Sequence, residues 1–357
     1  MSQISNVITR LRPPSSLTER LTQTLIQPLP ANCQQFSDEF IQLIGEDNLA
    51  ALLFYGSHKS GSQNQRNVSM VDFYAVIRDD AVNRVLLRLI AGGEGQANLW
   101  SLLKFAKYRL LYQFLAPLII DKVMLNEQQR IEGGAKFCLI TEKQLTTYLS
   151  DRAPDNHQLA RFSQPMRLCY PRTDEGIKKS LRWLLSAQRR SFDFISEKLP
   201  NSFDVTQYLR IYLQECYRAE CRPETSQRVD DLIAAEHNEL TGIYGDILKE
   251  RTMLHPGFDW CTESDTFSFD HDVCRTFSAS LQQFNVRRSQ VREIGRWGKN
   301  IATFDSWMEY ILDKIERSVA YRIEPSPVSK KLWFITLPYF FVEYLIAKRR
   351  FKKRNLS

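Results

Sequence analysis

The sequence predicts an α+β chain: a strand-bearing N-terminal part, a mainly helical part, and a basic, aromatic C-terminal tail. Three observations predict it. Ala51–Tyr55 is an apolar run closed by Gly56-Ser57, and a second run, Val71–Ile77, follows with Asp72 near its head. From Asp174 onward the apolar residues recur at helical spacing. The excess positive charge collects at the C-terminal end.

The organisation expected from these patterns is a flexible leader at 1–30, an α/β domain at 31–172, a helical domain at 173–324 and a tail at 325–357. Residues 1–18 carry Arg and Ser but no acid, and Pro13-Pro14 cut short any helix there. Phe36, Phe40, Leu43 and Ile44 share one face of a helix predicted over 36–48. Helices are predicted over 81–91, 97–125 (interrupted near Pro117) and 142–150, and Lys136–Ile140 is expected to be a third strand. Further helices are predicted over 177–199, 204–220, 226–250, 273–284 and 304–322, with a loop at Pro256-Gly257.

The chain of 357 residues is long enough for two domains with sizeable cores. Its seven cysteines are odd in number and show no zinc-site spacing, so reduced thiols are expected. The five histidines are scattered and do not suggest a metal cluster. Residues 330–357 hold eight Lys/Arg and one acid, Glu343, and the rest of the chain is neutral. A protein that wraps nucleic acid spreads its basic residues over the folded body, so no nucleic-acid partner is expected. Leu332–Ala347 is apolar and aromatic but interrupted by Pro338 and Glu343. It is shorter than the roughly 20 residues a spanning helix needs. It reads as an interfacial anchor for an anionic membrane surface, or else as a C-terminal core helix. The N-terminus has no long apolar segment, so no signal peptide is expected.

The strand, Gly-Ser turn and acid-headed strand suit nucleotidyl transfer. Tyr55 precedes a turn in which Gly56 lets backbone approach a phosphate, and Ser57 and neighbouring N–H groups can cradle it. Asp72 stands where it could hold a divalent cation, Mg²⁺, against the same phosphates. An ordinary strand-turn-strand would look the same. The position two before Asp72 is Met70, so a second carboxylate must come from elsewhere. Glu220, with Arg222 beside it, is a candidate at a helix end; the alternative is a surface salt bridge. Lys136 and Arg161 are further basic candidates, and solvated residues are the alternative for both.

The order of motifs resembles the translocator-maintenance type of CTP:phosphatidate cytidylyltransferase, the mitochondrial-matrix CDP-diacylglycerol synthases, and their bacterial relatives. Phe54-Tyr55-Gly56-Ser57 is similar to that family's Tyr-Gly-Ser-Gly turn, with His58 in place of the second Gly. Met70-Val71-Asp72-Phe73 is similar to its Met-hydrophobic-Asp-Phe, and Lys136–Ile140 to its Lys-Tyr-Gly-Val-Ile strand. Lys107-Tyr108 through Pro117 resembles its His-Tyr-Ser helix, with Lys107 for His. Leu159-Ala160-Arg161 with Gln164-Pro165, Tyr217–Arg222 and Ile243–Leu248 are similar to further segments in the same order. Glu220 takes an Asp position. Arg288-Gln290 and Gly295-Lys299 echo two more, and the likeness covers roughly residues 50–300.

The resemblance implies a polymerase-beta-like nucleotidyltransferase domain and transfer of a cytidylyl group from CTP to phosphatidate with Mg²⁺. It implies that Asp72, Glu220 and Lys136 are catalytic, with Asp72 and Glu220 on the metal. Tyr55, Gly56, Ser57, His58, Arg161 and Arg222 would bind the nucleotide or lipid phosphate. The expected place is the cytoplasm, peripheral on the inner face of the cell membrane, or the matrix side in a mitochondrion. A nucleotidyltransferase for a soluble molecule or RNA end, and a non-catalytic membrane-tethered nucleotide-binding protein, are the alternatives.

Overall fold

The computed structural model describes residues 15–56, 71–91, 99–115, 118–121, 135–150, 153, 155–220, 226–271, 279–303 and 346. Within these the protein is mixed α+β and mainly helical. The stretch Met1–Trp297 forms one compact unit, and Gly298–Ser357 a second. The tail, apart from Ile346, and the helix expected over 304–322 lie outside the described residues.

A five-stranded mixed sheet organises the first unit. Its strands are β1 (Leu49–Tyr55), β2 (Val71–Ile77), β3 (Leu118–Asp121), β4 (Ala135–Thr141) and β5 (Arg167–Tyr170). The order across the sheet is β3-β4-β2-β1-β5. Only the β2–β4 pair is parallel; the other three are antiparallel. Strands β1, β2 and β4 are apolar and almost wholly buried, as a sheet covered on both faces requires.

Side chains alternate between the two faces. Leu52, Phe54, Phe73, Ala75, Phe137 and Leu139 face a core shared with α2 (Ala31–Ile44), α3 (Val82–Ala91) and α4 (Leu99–Leu115). There Phe40, Phe137 and Phe73 stack in series, with ring centroids 3.8 and 4.9 Å apart. Leu53, Tyr55, Tyr74, Val76, Cys138 and Ile140 face the other way, into a larger core built with helices. These are α1 (Ser15–Ile26), α5 (Glu142–Tyr148), α6 (His157–Phe162), α7 (Asp174–Ile195), α8 (Val205–Ala219), α9 (Ser226–Ala235) and α10 (His237–Thr252). The change to helical sequence near residue 172 is therefore no break in packing: sheet and helices share one core.

Local chemistry fixes the helix starts. Thr141 and Gln144 form a capping box at α5, and Asp204 and Gln207 form another at α8. Thr173 caps α7, whose first turn carries Asp174 and Glu175 at the positive end of the helix dipole.

Five sequence expectations need correction. Residues 15–26, placed in a flexible leader, form α1, which starts directly after Pro13-Pro14 and buries Leu17, Leu21 and Leu25 completely. The stretch read as helix over 97–125 is not one helix: Leu99–Leu115 form α4, and Leu118–Asp121 form β3. The stretch 226–250 is two helices, divided at Glu236, whose φ and ψ of −119° and 25° are not helical. Residues in the half read as mainly helical also form a second sheet of β6 (Ser202–Phe203), β7 (Phe258–Cys261) and β8 (Thr266–Phe269), in the order β6-β8-β7. The alternation of Phe258 with Asp259, and of Phe267 with Ser268 and Phe269, buries the phenyl rings on one side. The last described helix, α11 (Ala279–Thr303), runs well past the predicted limit at 284.

A buried ionic knot ties α7 to α10. Arg189 donates to Glu250 from two nitrogens, and Arg251 donates to Asp193 at 2.9 Å and to the Arg189 carbonyl at 2.6 Å. Arg251 also meets His255 Nε2 at 2.9 Å. Burial, then the Arg251 charge, pushes the His255 pKa down against the pull of Asp193. The folded chain thus resists protonating His255, whereas the unfolded chain takes the proton below about pH 6.5. Stability from this site is complete above that value and is lost as pH falls through it.

Two outcomes are expected. Leu21→Ala should lower stability by about 2–5 kcal/mol in a denaturant titration, as for a core leucine rather than a leader residue. The thermal midpoint should fall between pH 7 and pH 5.5 (approximate bounds set by the free imidazole), and His255→Gln should flatten that part of the profile.

Candidate active site

Strand register assembles the first half of the site. Because β2 and β4 run parallel, both begin at one end of the sheet, where antiparallel β1 ends. Tyr55, Asp72 and Lys136 are direct neighbours across this row, and Asp121 of β3 continues it at the register position beside Lys136. Tyr55, Asp72 and Lys136 share the parity of Tyr74 and Cys138, so all three lie on the helix-covered face.

Lys136 Nζ lies 2.5 Å from Asp72 Oδ1. Their side chains retain 14% and 24% of their exposure, so this pair sits at a mouth reached by solvent. Gly56 closes β1 with a φ of 93°, a conformation L side chains rarely adopt. A Cβ there would stand 3.2 Å from Asp72 Oδ2. The bare glycine therefore keeps the approach to the carboxylate open.

The second half comes from helices. Arg161, on α6, lies 3.3 Å from Glu220 at the C-terminal cap of α8. Its guanidinium carbon stands 5.9 Å from the Tyr55 ring centroid. The Glu220 side chain is 2% exposed. Burial opposes the charge on Arg161, but Glu220, then Tyr55, Tyr74 and Asp72, outweigh it and push the guanidinium pKa well up. Arg161 thus stays a fixed cation that feels both Glu220 and Asp72. Helix α6 is pinned onto the sheet by Tyr74, which donates to Gln158 Oε1 at 2.5 Å and packs edge-on to Phe162. At its far end, Tyr244 donates to the Ser163 carbonyl at 2.8 Å.

Behind α6 a third layer continues the charge chain. His157 Nδ1 lies 3.0 Å from Glu293 Oε2, and Arg296 reaches Glu293 at 3.1 Å and Asp155 at 2.6 Å. Arg292 adds a contact to Asp155 at 2.8 Å. Burial raises the cost of charge on Glu293, yet His157 and Arg296 hold its carboxyl well below the usual range. Asp155 is likewise held down by Arg296 and His157 against its burial. Through these pairs α11 is locked to α6.

The structure thus brings together Tyr55, Gly56, Asp72, Lys136, Arg161 and Glu220 from the sequence candidates. Ser57, His58, Arg222 and Met70 lie outside the described residues. Sequence reading missed Tyr74, Gln158, His157, Glu293 and Arg296. An acid and an arginine three residues apart on a charged helix read as solvent-facing, and only the fold reveals their burial.

The fit to Mg²⁺ divides the two proposed metal ligands. Asp72 is partly exposed beside the bare Gly56, and suits an ion that arrives with a nucleotide triphosphate. Glu220 is buried against Arg161, which already uses its charge. Among the described residues no three His, Cys, Asp or Glu side chains cluster as a metal site. A Mg²⁺ here would take one carboxylate from the described residues and its other ligands from phosphates and water, as this ion often does. No protein-family model matches the chain, and no curated protein matches it in sequence.

The Arg161–Glu220 pair yields a direct test. Glu220→Leu should destabilise the fold by about 3 kcal/mol, because it takes the buried partner from a partly buried guanidinium. Adding Arg161→Met should recover most of that loss. An additive double-mutant cycle would mean that the two side chains do not interact.

Proposed function

We propose that this protein is a CTP:phosphatidate cytidylyltransferase, forming CDP-diacylglycerol and pyrophosphate. The observation that carries the reading is the row Gly56, Asp72, Lys136 at one open sheet end, backed by the fixed cation Arg161. It supplies a backbone free to approach a phosphate, one carboxylate for a Mg²⁺–triphosphate, and two positive charges. The motif order along the chain supports the same reading.

In this reading a phosphate oxygen of phosphatidate attacks the α-phosphorus of CTP. A new P–O bond forms, the bond to the β-phosphate breaks, and pyrophosphate leaves with the electron pair. The attacking oxygen is already ionised, so no general base is needed. Gly56 and Ser57, with Tyr55 and His58 beside them, bound the triphosphate. Asp72 would hold a Mg²⁺ brought with the nucleotide, and that ion would neutralise charge on the phosphates. Lys136, beside Asp72, would place its charge against the leaving pyrophosphate. Arg161 supplies a standing positive field, and Glu220 positions it rather than binding metal. Arg222 is assigned to the lipid phosphate. The basic tail is assigned to the anionic membrane surface that holds the substrate. Among the described residues no helix is long and apolar enough to cross a membrane.

The test is formation of CDP-diacylglycerol from labelled CTP and phosphatidate vesicles with Mg²⁺, with ATP, GTP and UTP as controls. CTP-specific product is expected, and Asp72→Asn should cut kcat by about a hundredfold or more without moving the thermal midpoint. Folded protein that makes no product from any nucleotide would overturn the reading. Full turnover by Asp72→Asn would overturn the site.

A further inference from the structure

Helix α4 buries one face and leaves a second apolar face uncovered. At about 100° per residue, Tyr108 and Tyr112 fall on one side, and both are buried. Leu102, Leu103, Ala106 and Leu110 fall on the opposite side, and the three leucines are 53%, 53% and 57% exposed. Exposed Lys107 borders this stripe and exposed Lys104 lies further round the helix, with their ammonium groups 6.0 and 5.6 Å from the Tyr108 ring centroid. The helix also carries Arg109 and contains no acidic residue. A solvated helix face does not need leucines at this spacing, and an internal face would not leave them exposed beside exposed lysines.

We propose that α4 docks on an anionic lipid bilayer, with Leu102, Leu103 and Leu110 entering the headgroup–acyl boundary and Lys104 and Lys107 meeting lipid phosphates. Charge selects this occupant. The chain's own C-terminal tail is strongly basic and would meet α4 with like charge. A second copy of α4 in a symmetric contact would set lysine against lysine. An anionic surface is complementary to both the lysines and the leucines. The position also makes sense for the chemistry. Strand β3 begins within three residues of the end of α4, and its Asp121 pairs in register with Lys136. A bilayer held at α4 is thus tied through one edge strand to the sheet that carries the candidate site. The inference rests on the lipid-phosphate reading for its biological sense, but the docking itself does not require turnover.

The experiment is co-sedimentation of the full chain with phosphatidylcholine vesicles, with and without phosphatidylglycerol, an anionic lipid that is not the proposed substrate. Leu102→Ser/Leu103→Ser/Leu110→Ser should lower partitioning onto the anionic vesicles by about tenfold. Lys104→Glu/Lys107→Glu should lower it comparably and flatten its salt dependence. The lysine pair is fully on the surface, so it keeps the test decisive if the leucine variant folds poorly. Wild-type partitioning by both variants would show that α4 does not touch the bilayer. Unchanged partitioning with loss of a dimer in sedimentation velocity would show that a second copy covers the stripe instead. Failure of the cytidylyl-transfer assay with anionic-vesicle binding intact would count against the reaction and not against this surface.

Discussion

An arginine paired with a buried glutamate is the constraint on which the candidate site depends. Arg161 and Glu220 come from helices far apart in sequence, and each would be costly to bury alone. Satisfying them requires α6 to lie against the sheet at Tyr55 and Tyr74, and α8 to end where its cap meets the guanidinium. The layer behind, Asp155, His157, Glu293 and Arg296, fixes the other side of α6 in the same way. Apolar packing holds the sheet and helices together. The ion pairs determine which residues stand over the end of the sheet.

This arrangement separates two kinds of charge. Glu220 is enclosed and holds Arg161 as a standing cation, which makes this pair a permanent feature of the field. Asp72 and Lys136 sit at the mouth and keep part of their exposure, so an incoming cation and phosphate can exchange for their mutual contact. Water reaches Asp72 more than Glu220, and so screens the outer acid more than the inner one. A site that must bind and release polyanions benefits from this difference: a fixed positive background behind, and an exchangeable acid–base pair in front. Gly56 completes the mouth by leaving no side chain over Asp72.

Much of the sheet was legible in the sequence because period-two and all-apolar runs are local signals. Ala51–Tyr55, Val71–Ile77 and Lys136–Ile140 each lie in a strand, and the helix over 204–220 ends within a residue of its predicted limit at Glu220. Gly56 was legible for the same reason, since a glycine closing an apolar strand is a local cue. The partnership of Arg161 with Glu220 was not, because nothing in either neighbourhood encodes a contact across so many residues. Helix α1 was hidden by its polar composition and by the prolines before it, although Leu17, Leu21 and Leu25 keep a helical spacing. Strand β3 was hidden because four apolar residues after a helix carry no period of their own. The β6–β8 sheet was hidden by short strands set among strong helices.

The central claim is that the open end of the sheet is a nucleotide site. The most direct measurement is an experimental structure with Mg²⁺ and a CTP analogue whose α,β-bridging oxygen is replaced so that it cannot react. The account predicts the triphosphate against Gly56, the cation on Asp72, and Lys136 turned from Asp72 toward the β- and γ-phosphates, with Arg161 and Glu220 unmoved. A triphosphate bound elsewhere on the protein, or a cation held by Glu220 with Arg161 displaced, would contradict it.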